Sequence, residues 1–302
     1  MSKVMQFAGG AAILGESPLW SVSEQALYWV DSIAGTIHRR GWTDKETSTW
    51  QFGEEVGAVG LCSGGLVVAA RSGFHFFDPA SAARTQLAAP ERDFPDNRLN
   101  DGKVDRHGRF WSGSLRETGY APVGNLWRLD GSGATEHVLG GLTIPNALCW
   151  SPDGARMYFA DSPTGLIEVF DFDAHTGRVG GRRPFARIPD GRGFPDGATV
   201  DSQGRVWCAN IDGGRILRFL PDGSCDAQIS LPVTRPTSCT LGGPDLDVLF
   251  VTTARRRLSE EQLRTQELSG SVLAIKVDAK GIAEPLFRLQ AAAETKQNGD
   301  QQ

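Results

Sequence analysis

The stretch Asn146-Ala-Leu-Cys-Trp-Ser-Pro-Asp-Gly-Ala-Arg-Met-Tyr-Phe-Ala-Asp161 decides the fold. An apolar run enters the Ser-Pro-Asp-Gly turn, and a second apolar run leaves it. Two short apolar segments around an Asp-Gly turn form a β-hairpin signature. The same phrase returns as Gly197-Ala-Thr-Val-Asp-Ser-Gln-Gly-Arg-Val-Trp-Cys-Ala-Asn210 and as Gly102-Lys-Val-Asp-Arg-His-Gly-Arg-Phe-Trp-Ser-Gly113. Looser copies are Glu16-Ser-Pro-Leu-Trp20 with Ala26-Leu-Tyr-Trp-Val-Asp31, Val59-Gly-Leu-Cys62 with Gly65-Leu-Val-Val-Ala-Ala70, and Ser238 to Thr253. Each copy continues into a third alternating segment, opening at Gly35, Gly73, Gly124, Gly165, Gly214 or Gly270. Most copies carry a weaker fourth, such as Arg182-Arg-Pro-Phe-Ala-Arg-Ile188. Six copies spaced by about 40 to 50 residues predict an all-β, six-bladed β-propeller with four-stranded antiparallel blades. A two-sheet sandwich has no reason to repeat one turn six times. The closed ring predicts a single domain over residues 1–290. The polar tail, residues 291–302, is expected to be disordered and to carry no chemistry.

Composition narrows the function. Of 302 residues, 40% are hydrophobic and 22% charged, enough apolar material for a core, with a formal net charge of -5. Lys and Arg are scattered, and their densest run is Arg255-Arg-Arg257. A nucleic-acid surface needs a basic stripe that displaces phosphate counterions, so that class of partner is excluded. No apolar stretch approaches the roughly 20 residues a membrane helix needs. The short apolar N-terminal stretch is interrupted by Gln6 and Gly9-Gly10 and does not read as a cleaved leader. The five cysteines (62, 149, 208, 225, 239) show no CxxC spacing. Buried thiols in a reducing cytoplasm are expected, with no obligate protein partner. Trp20, Trp29, Trp111, Trp127, Trp150 and Trp207 sit among apolar neighbours and read as packing between blades.

In a propeller the first strand of each blade lines the central channel, so its leading residues converge although they are distant in sequence. Those positions hold Glu16, Asn100-Asp101, Asn146, Asp196 and Ser238. Carboxylate and amide oxygens are hard donors suited to Ca²⁺, Mg²⁺ or Mn²⁺. No His or Cys joins them, so a soft-ligand zinc site is not indicated. Asn and Asp before Gly are also common turn formers, and Asp153, Asp201 and Asp222 read as turn residues only. Glu16 opens a strand and has no turn role to explain it. No histidine is placed to complete a Ser-His-Asp triad. Gly60-Leu-Cys-Ser-Gly-Gly65 is a hairpin rather than a phosphate cradle, because no helix follows it.

Gly15-Glu-Ser-Pro-Leu-Trp20, Arg98-Leu-Asn-Asp-Gly-Lys-Val-Asp105, Ile144-Pro-Asn-Ala-Leu148, Phe194-Pro-Asp-Gly-Ala-Thr-Val-Asp201 and Thr237-Ser-Cys-Thr-Leu-Gly-Gly243 together resemble the senescence marker protein-30/gluconolactonase family. That family includes regucalcin and bacterial sugar lactonases, and the resemblance runs in order over nearly the whole chain. It implies one divalent metal held by Glu16, Asn146 and Asp196, with Ca²⁺ first and magnesium, manganese, iron or zinc left open. It further implies substrate contacts from Arg98 and Asn100, with Asp196 as general base. Regucalcin-like members place a sugar-touching glutamate after the third-blade strand; here Thr118 takes that position, beside Glu117. The expected activity is hydrolysis of a small-molecule aldonolactone, such as glucono-, xylono-, arabinono- or galactonolactone. A metal-dependent esterase or organophosphatase, and a non-catalytic calcium-binding propeller, are the alternatives.

Overall fold

Each repeat folds where its apolar residues run without a break, because the inner strands are covered on both faces. In the computed structural model, which describes residues 3–290, β1 (Val4–Ala8) precedes the first repeat. Blade one is β2 (Gly15–Ser21), β3 (Ala26–Asp31), β4 (Thr36–Gly41) and β5 (Ser48–Gln51). Blade two is β6 (Val56–Cys62), β7 (Gly65–Ala70), β8 (Gly73–Asp78) and β9 (Ala83–Ala88). Blade three is β10 (Asn97–Val104), β11 (Phe110–Arg116), β12 (Gly124–Leu129) and β13 (Thr135–Leu142). Blade four is β14 (Pro145–Trp150), β15 (Arg156–Asp161), β16 (Leu166–Asp173) and β17 (Arg178–Arg187). Blade five is β18 (Phe194–Val200), β19 (Val206–Ile211), β20 (Arg215–Phe219) and β21 (Cys225–Ser230). Blade six is β22 (Pro236–Gly242), β23 (Val248–Thr253) and β24 (Val272–Lys276), with β1 as its fourth strand. One short helix, α1 (Glu260–Thr265), interrupts the β23–β24 connection and is capped by Ser259.

All six sheets are four-stranded and antiparallel, so the chain is a six-bladed β-propeller. The first strands β2, β6, β10, β14, β18 and β22 neighbour one another in turn, and β22 returns to β2. Closure comes from β1, which pairs with β24 in the register Val4↔Ile275 and Met5↔Ala274. The sequence reading gave these N-terminal residues no strand. Their polar and apolar residues alternate too weakly to declare a partner 270 positions away. Residues 291–302, the expected disordered tail, lie outside the described residues. No helix among the described residues is long and apolar enough to cross a membrane.

Packing lies between blades, as the tryptophans indicated. Trp20 of blade one stacks on Phe250 of blade six at 5.5 Å, and Trp111 of blade three meets Trp150 of blade four at 5.8 Å. Such pairs add about 0.5–1.5 kcal/mol beyond the area they bury. Cys62, Cys149, Cys208 and Cys239 are buried free thiols. Cys225 departs from the expectation of buried cysteines. It is exposed because β21 is an outermost strand with one face in water.

Two of the turns are more than turns. Asp201 Oδ1 accepts from the backbone N–H of Gln203 and Arg205, while Oδ2 accepts from Arg205 Nε at 2.6 Å and Trp207 Nε1 at 2.9 Å. Asp105 makes the same four bonds with His107, Arg109 and Trp111. Both aspartates are fully buried. The repeated Asp-x-x-Gly-Arg-x-Trp phrase therefore encodes a buried ion pair that locks a hairpin and orients its tryptophan. Asp201→Ala strands the Arg205 charge and the Trp207 donor, and should cost about 3–5 kcal/mol in denaturant unfolding. Asp222→Ala, on an exposed turn, should lose far less. Equal losses would show that the buried network contributes nothing.

Candidate active site at the channel mouth

Every inner strand that leads a candidate residue into the channel is irregular there. Pairing slips between Glu16 and Leu19, Leu99 and Gly102, Asn146 and Cys149, and Pro195 and Ala198. A β-bulge frees a residue from the ladder and re-aims its side chain. Ser17 (φ 50°) and Ala147 (φ 56°), directly after Glu16 and Asn146, are held in the left-handed region. Two strand-end carboxylates hold these lead-ins. Asp31 accepts from the N–H of Ile13 and Leu14, and Asp161 from the N–H of Thr143 and Ile144. After Asp196 the chain requires glycine, since a Cβ on Gly197 would collide with Ser238 Oγ and Cβ.

Glu16, Arg98, Asn100, Asn146 and Asp196 line one cavity of about 200 Å³. Their hydrogen bonds have a forced direction. Arg98 can only donate, and its Nη1 gives to Asn100 Oδ1 at 2.9 Å. The Asn100 amide nitrogen therefore faces the other way, donating to Pro145 O at 3.0 Å and Asn146 Oδ1 at 3.3 Å. Ser162 spends its one proton on Pro195 O, so it accepts from Asn146 Nδ2 at 2.8 Å. Both amides are thus oriented without reference to hydrogen positions. Asn146 Oδ1 carries one long hydrogen bond and retains a free lone pair.

Other expected residues fall elsewhere. Asp101 turns beneath the cavity and accepts from Leu148 N–H at 3.0 Å, holding blade four's inner strand. Ser238 packs against Gly197 and also lies below. Thr118 is exposed and does not line the cavity. Its neighbour Glu117 sits between Arg71, Arg98 and Arg256. Tyr120, Ser162, Asp212, Arg256 and Arg257 line the cavity but were not found from sequence. All come from the connections between second and third strands, which open on the same face as the strand lead-ins. That topological rule, applied to the repeats, would have singled them out. Nine non-glycine residues have positive φ among the described residues, and Ser17, Ala147, Tyr120, Asp212 and Arg257 lie at or beside this cavity. Strain of this kind costs of order 1–3 kcal/mol per residue and gathers at functional sites.

Residues 14–255 match the sequence profile described as SMP-30/Gluconolactonase/LRE-like region. The chain belongs to this family. It is 42% identical to the 6-deoxy-6-sulfogluconolactonase of Pseudomonas putida, over 91% of this chain and 95% of that protein. It is 33% identical to the regucalcin of Xenopus laevis, over 91% and 94%. The crystal structure of a calcium-binding protein, regucalcin, from Agrobacterium tumefaciens superposes with a TM-score of 0.89 at 26% identity, covering 93% of this chain and 95% of that one.

This cavity is electrostatically unbalanced. Burial pushes the Glu16 carboxyl well up, and the charges of Asp196 and Asp101 push it further, against a weaker pull from Ser17 N–H and Arg98. Burial and then Asp101 raise Asp196, with Arg235 and Gly197 N–H opposing. A half-buried and a buried carboxylate beside an amide oxygen with a spare lone pair suit a divalent cation, which would relieve the repulsion. Glu16, Asn146 and Asp196 would hold it. Among the described residues no three His, Cys, Asp or Glu side chains gather as a metal cluster, and this trio counts an amide as its third donor.

Because the folded chain holds these two protons more tightly than the unfolded chain, their ionisation destabilises the fold. Stability is full below the ordinary carboxylate range of about 4 and falls as pH rises through the raised values. In chelator-treated protein, Tm should therefore fall more steeply from acidic to neutral pH in wild type than in Asp196→Asn. Parallel Tm profiles would show that Asp196 is not the source.

Proposed function

We propose that this chain hydrolyses the ring ester of a sugar lactone to the open aldonic acid. The carrying observation is that Glu16, Asn146 and Asp196 share one cavity with Arg98 and Asn100. Membership of the family and the name of the Pseudomonas putida relative, a sulfogluconolactonase, support the substrate class. The regucalcin structure described as calcium-binding supports a divalent ion on the trio, with Ca²⁺ first because every donor is a hard oxygen. Such an ion, when bound, polarises an ester carbonyl and lowers the pKa of water.

The residues divide the remaining work. Asp196 accepts a proton from the water that attacks the lactone carbonyl, assistance worth roughly 10²- to 10⁴-fold. The new C–O bond forms first and makes the carbonyl carbon tetrahedral; its collapse restores the C=O and breaks the ring C–O bond, and the proton passes to the departing ring oxygen, which leaves as a hydroxyl. Arg98 is 3% exposed, with Nη1 donating to Asn100 Oδ1 and Nε ion-paired to Glu117 at 3.7 Å. Its remaining N–H groups can serve a substrate oxygen. Asn100 sets the angle of both Arg98 and Asn146 through its two amide atoms, so it positions the site as well as lining it. The apolar wall of Leu14, Leu115, Ile144, Phe194 and Ile211 limits water around the ester. Thr118 is exposed and is not among the residues lining this cavity.

Asp196→Ala should abolish lactone hydrolysis, read by pH indicator with glucono-, xylono-, arabinono- and galactonolactone, while circular dichroism stays native. Retained turnover would remove Asp196 from the mechanism. Chelator should abolish wild-type activity and a divalent ion restore it. Faster turnover of an aryl ester than of any aldonolactone would move the assignment to the esterase class.

A further inference from the structure

The triple Arg255-Arg-Arg257, too short to bind nucleic acid, folds back over the cavity. The backbone N–H groups of Arg255 and Arg256 donate to the carbonyls of Ala12 and Ile13, at 3.2 and 2.8 Å. Adjacent residues of an extended chain point to opposite sides. Arg257 instead takes φ 65°, and both Arg256 and Arg257 line the cavity. Tyr120 arrives from blade three, opposite blade six in the ring, also with positive φ (45°). Arg257 Nη2 donates to the Tyr120 hydroxyl, and its guanidinium lies 5.0 Å over the Tyr120 ring.

Around Glu117 the guanidinium groups outnumber the carboxylates. Glu117 serves three of them, Arg256 at 3.0 Å, Arg71 at 3.1 Å and Arg98 at 3.7 Å, and only Arg71 has a second carboxylate, Glu55 at 2.6 Å. No carboxylate pairs with Arg257 among the described residues. Tyr120 OH accepts from Arg257 and keeps its own proton to donate. A neutral sugar lactone needs no such surplus, since its hydroxyls are served by neutral donors and acceptors.

We infer that Arg256, Arg257 and Tyr120 form an anion subsite, and that the substrate is a sugar lactone carrying a tetrahedral oxyanion, a sulfonate or phosphate ester, at the end remote from the lactone carbonyl. This rests on the lactonase reading above. Guanidinium groups bind such oxyanions by charge-assisted, often bidentate hydrogen bonds. Tyr120 supplies a third donor and fixes Arg257 before the ligand arrives. The left-handed turn at Arg257 is the conformational cost of putting two adjacent arginines on one wall.

The test compares three lactones of one sugar, with a terminal hydroxyl, sulfonate or phosphate ester. Wild type should favour one charged lactone over the neutral one by at least about tenfold in kcat/KM, carried mainly by KM. That ratio should collapse in Arg257→Gln and be partly kept in Arg257→Lys, with unchanged thermal unfolding. Whether sulfonate or phosphate leads identifies the natural group. Calorimetric titration with the three corresponding acids reads the subsite without turnover. If no lactone is hydrolysed, the lactonase reading fails, and tighter binding of a charged acid, lost in Arg257→Gln, would still support the subsite. Equal binding of all three acids, or a preference that survives Arg257→Gln, overturns it.

Discussion

The pairing of β1 with β24 is the constraint on which the site depends. It ties the first residues of the chain to the last blade, so residues 9–14 must cross the seam before β2 begins. At that seam Asp31 holds the amides of Ile13 and Leu14, and the carbonyls of Ala12 and Ile13 hold the amides of Arg255 and Arg256. One junction therefore places Glu16 at the bottom of the cavity and the arginine pair on its wall. An open ring would lose the carboxylate and the cations together. The strand pairing itself is ordinary antiparallel ladder, with a bulge between Gln6 and Ala8. Its importance lies in which residues it brings into register.

Within the ring, charge and hydrogen-bond direction do the rest. Burial raises the Glu16 and Asp196 carboxyls, Asp196 raises Glu16 further and Asp101 raises both, an arrangement that suits a cation. The amides are set by a chain that begins at a donor-only guanidinium and ends at a backbone carbonyl, so neither can rotate without orphaning a buried group. Positive-φ residues after Glu16 and Asn146 show that the backbone is bent to serve the side chains. The buried Asp105 and Asp201 networks play the opposite part, stiffening blades three and five at turns remote from the mouth.

The fold was legible because a propeller writes its architecture six times. Turn residues and apolar runs recur at a period that local chemistry can read, and Glu16, Asn146 and Asp196 stand at equivalent points of that period. The β1 strand was not legible, since it belongs to no repeat and its partner is at the far end of the chain. Thr118 is exposed in the loop after β11, where the backbone turns through Gly119 and a left-handed Tyr120 and brings Tyr120 to the cavity. Asp101 and Ser238 occupy the right frame but turn downward, because side-chain direction at a bulge depends on local dihedral angles rather than on sequence period.

Sequence alone determined the blade count and the strand order within each repeat, which follow from local hydrogen bonding and apolar periodicity, while the family resemblance picked Glu16, Asn146 and Asp196 out of the strand lead-ins as metal-ligand candidates. Tertiary structure decided which loops meet. Arg257 and Tyr120 are 137 positions apart and share no motif. They come together because the second-to-third-strand connections of opposite blades open on one face of a closed ring. No local rule encodes that meeting, since the distance between two loops is set by how six sheets twist and close.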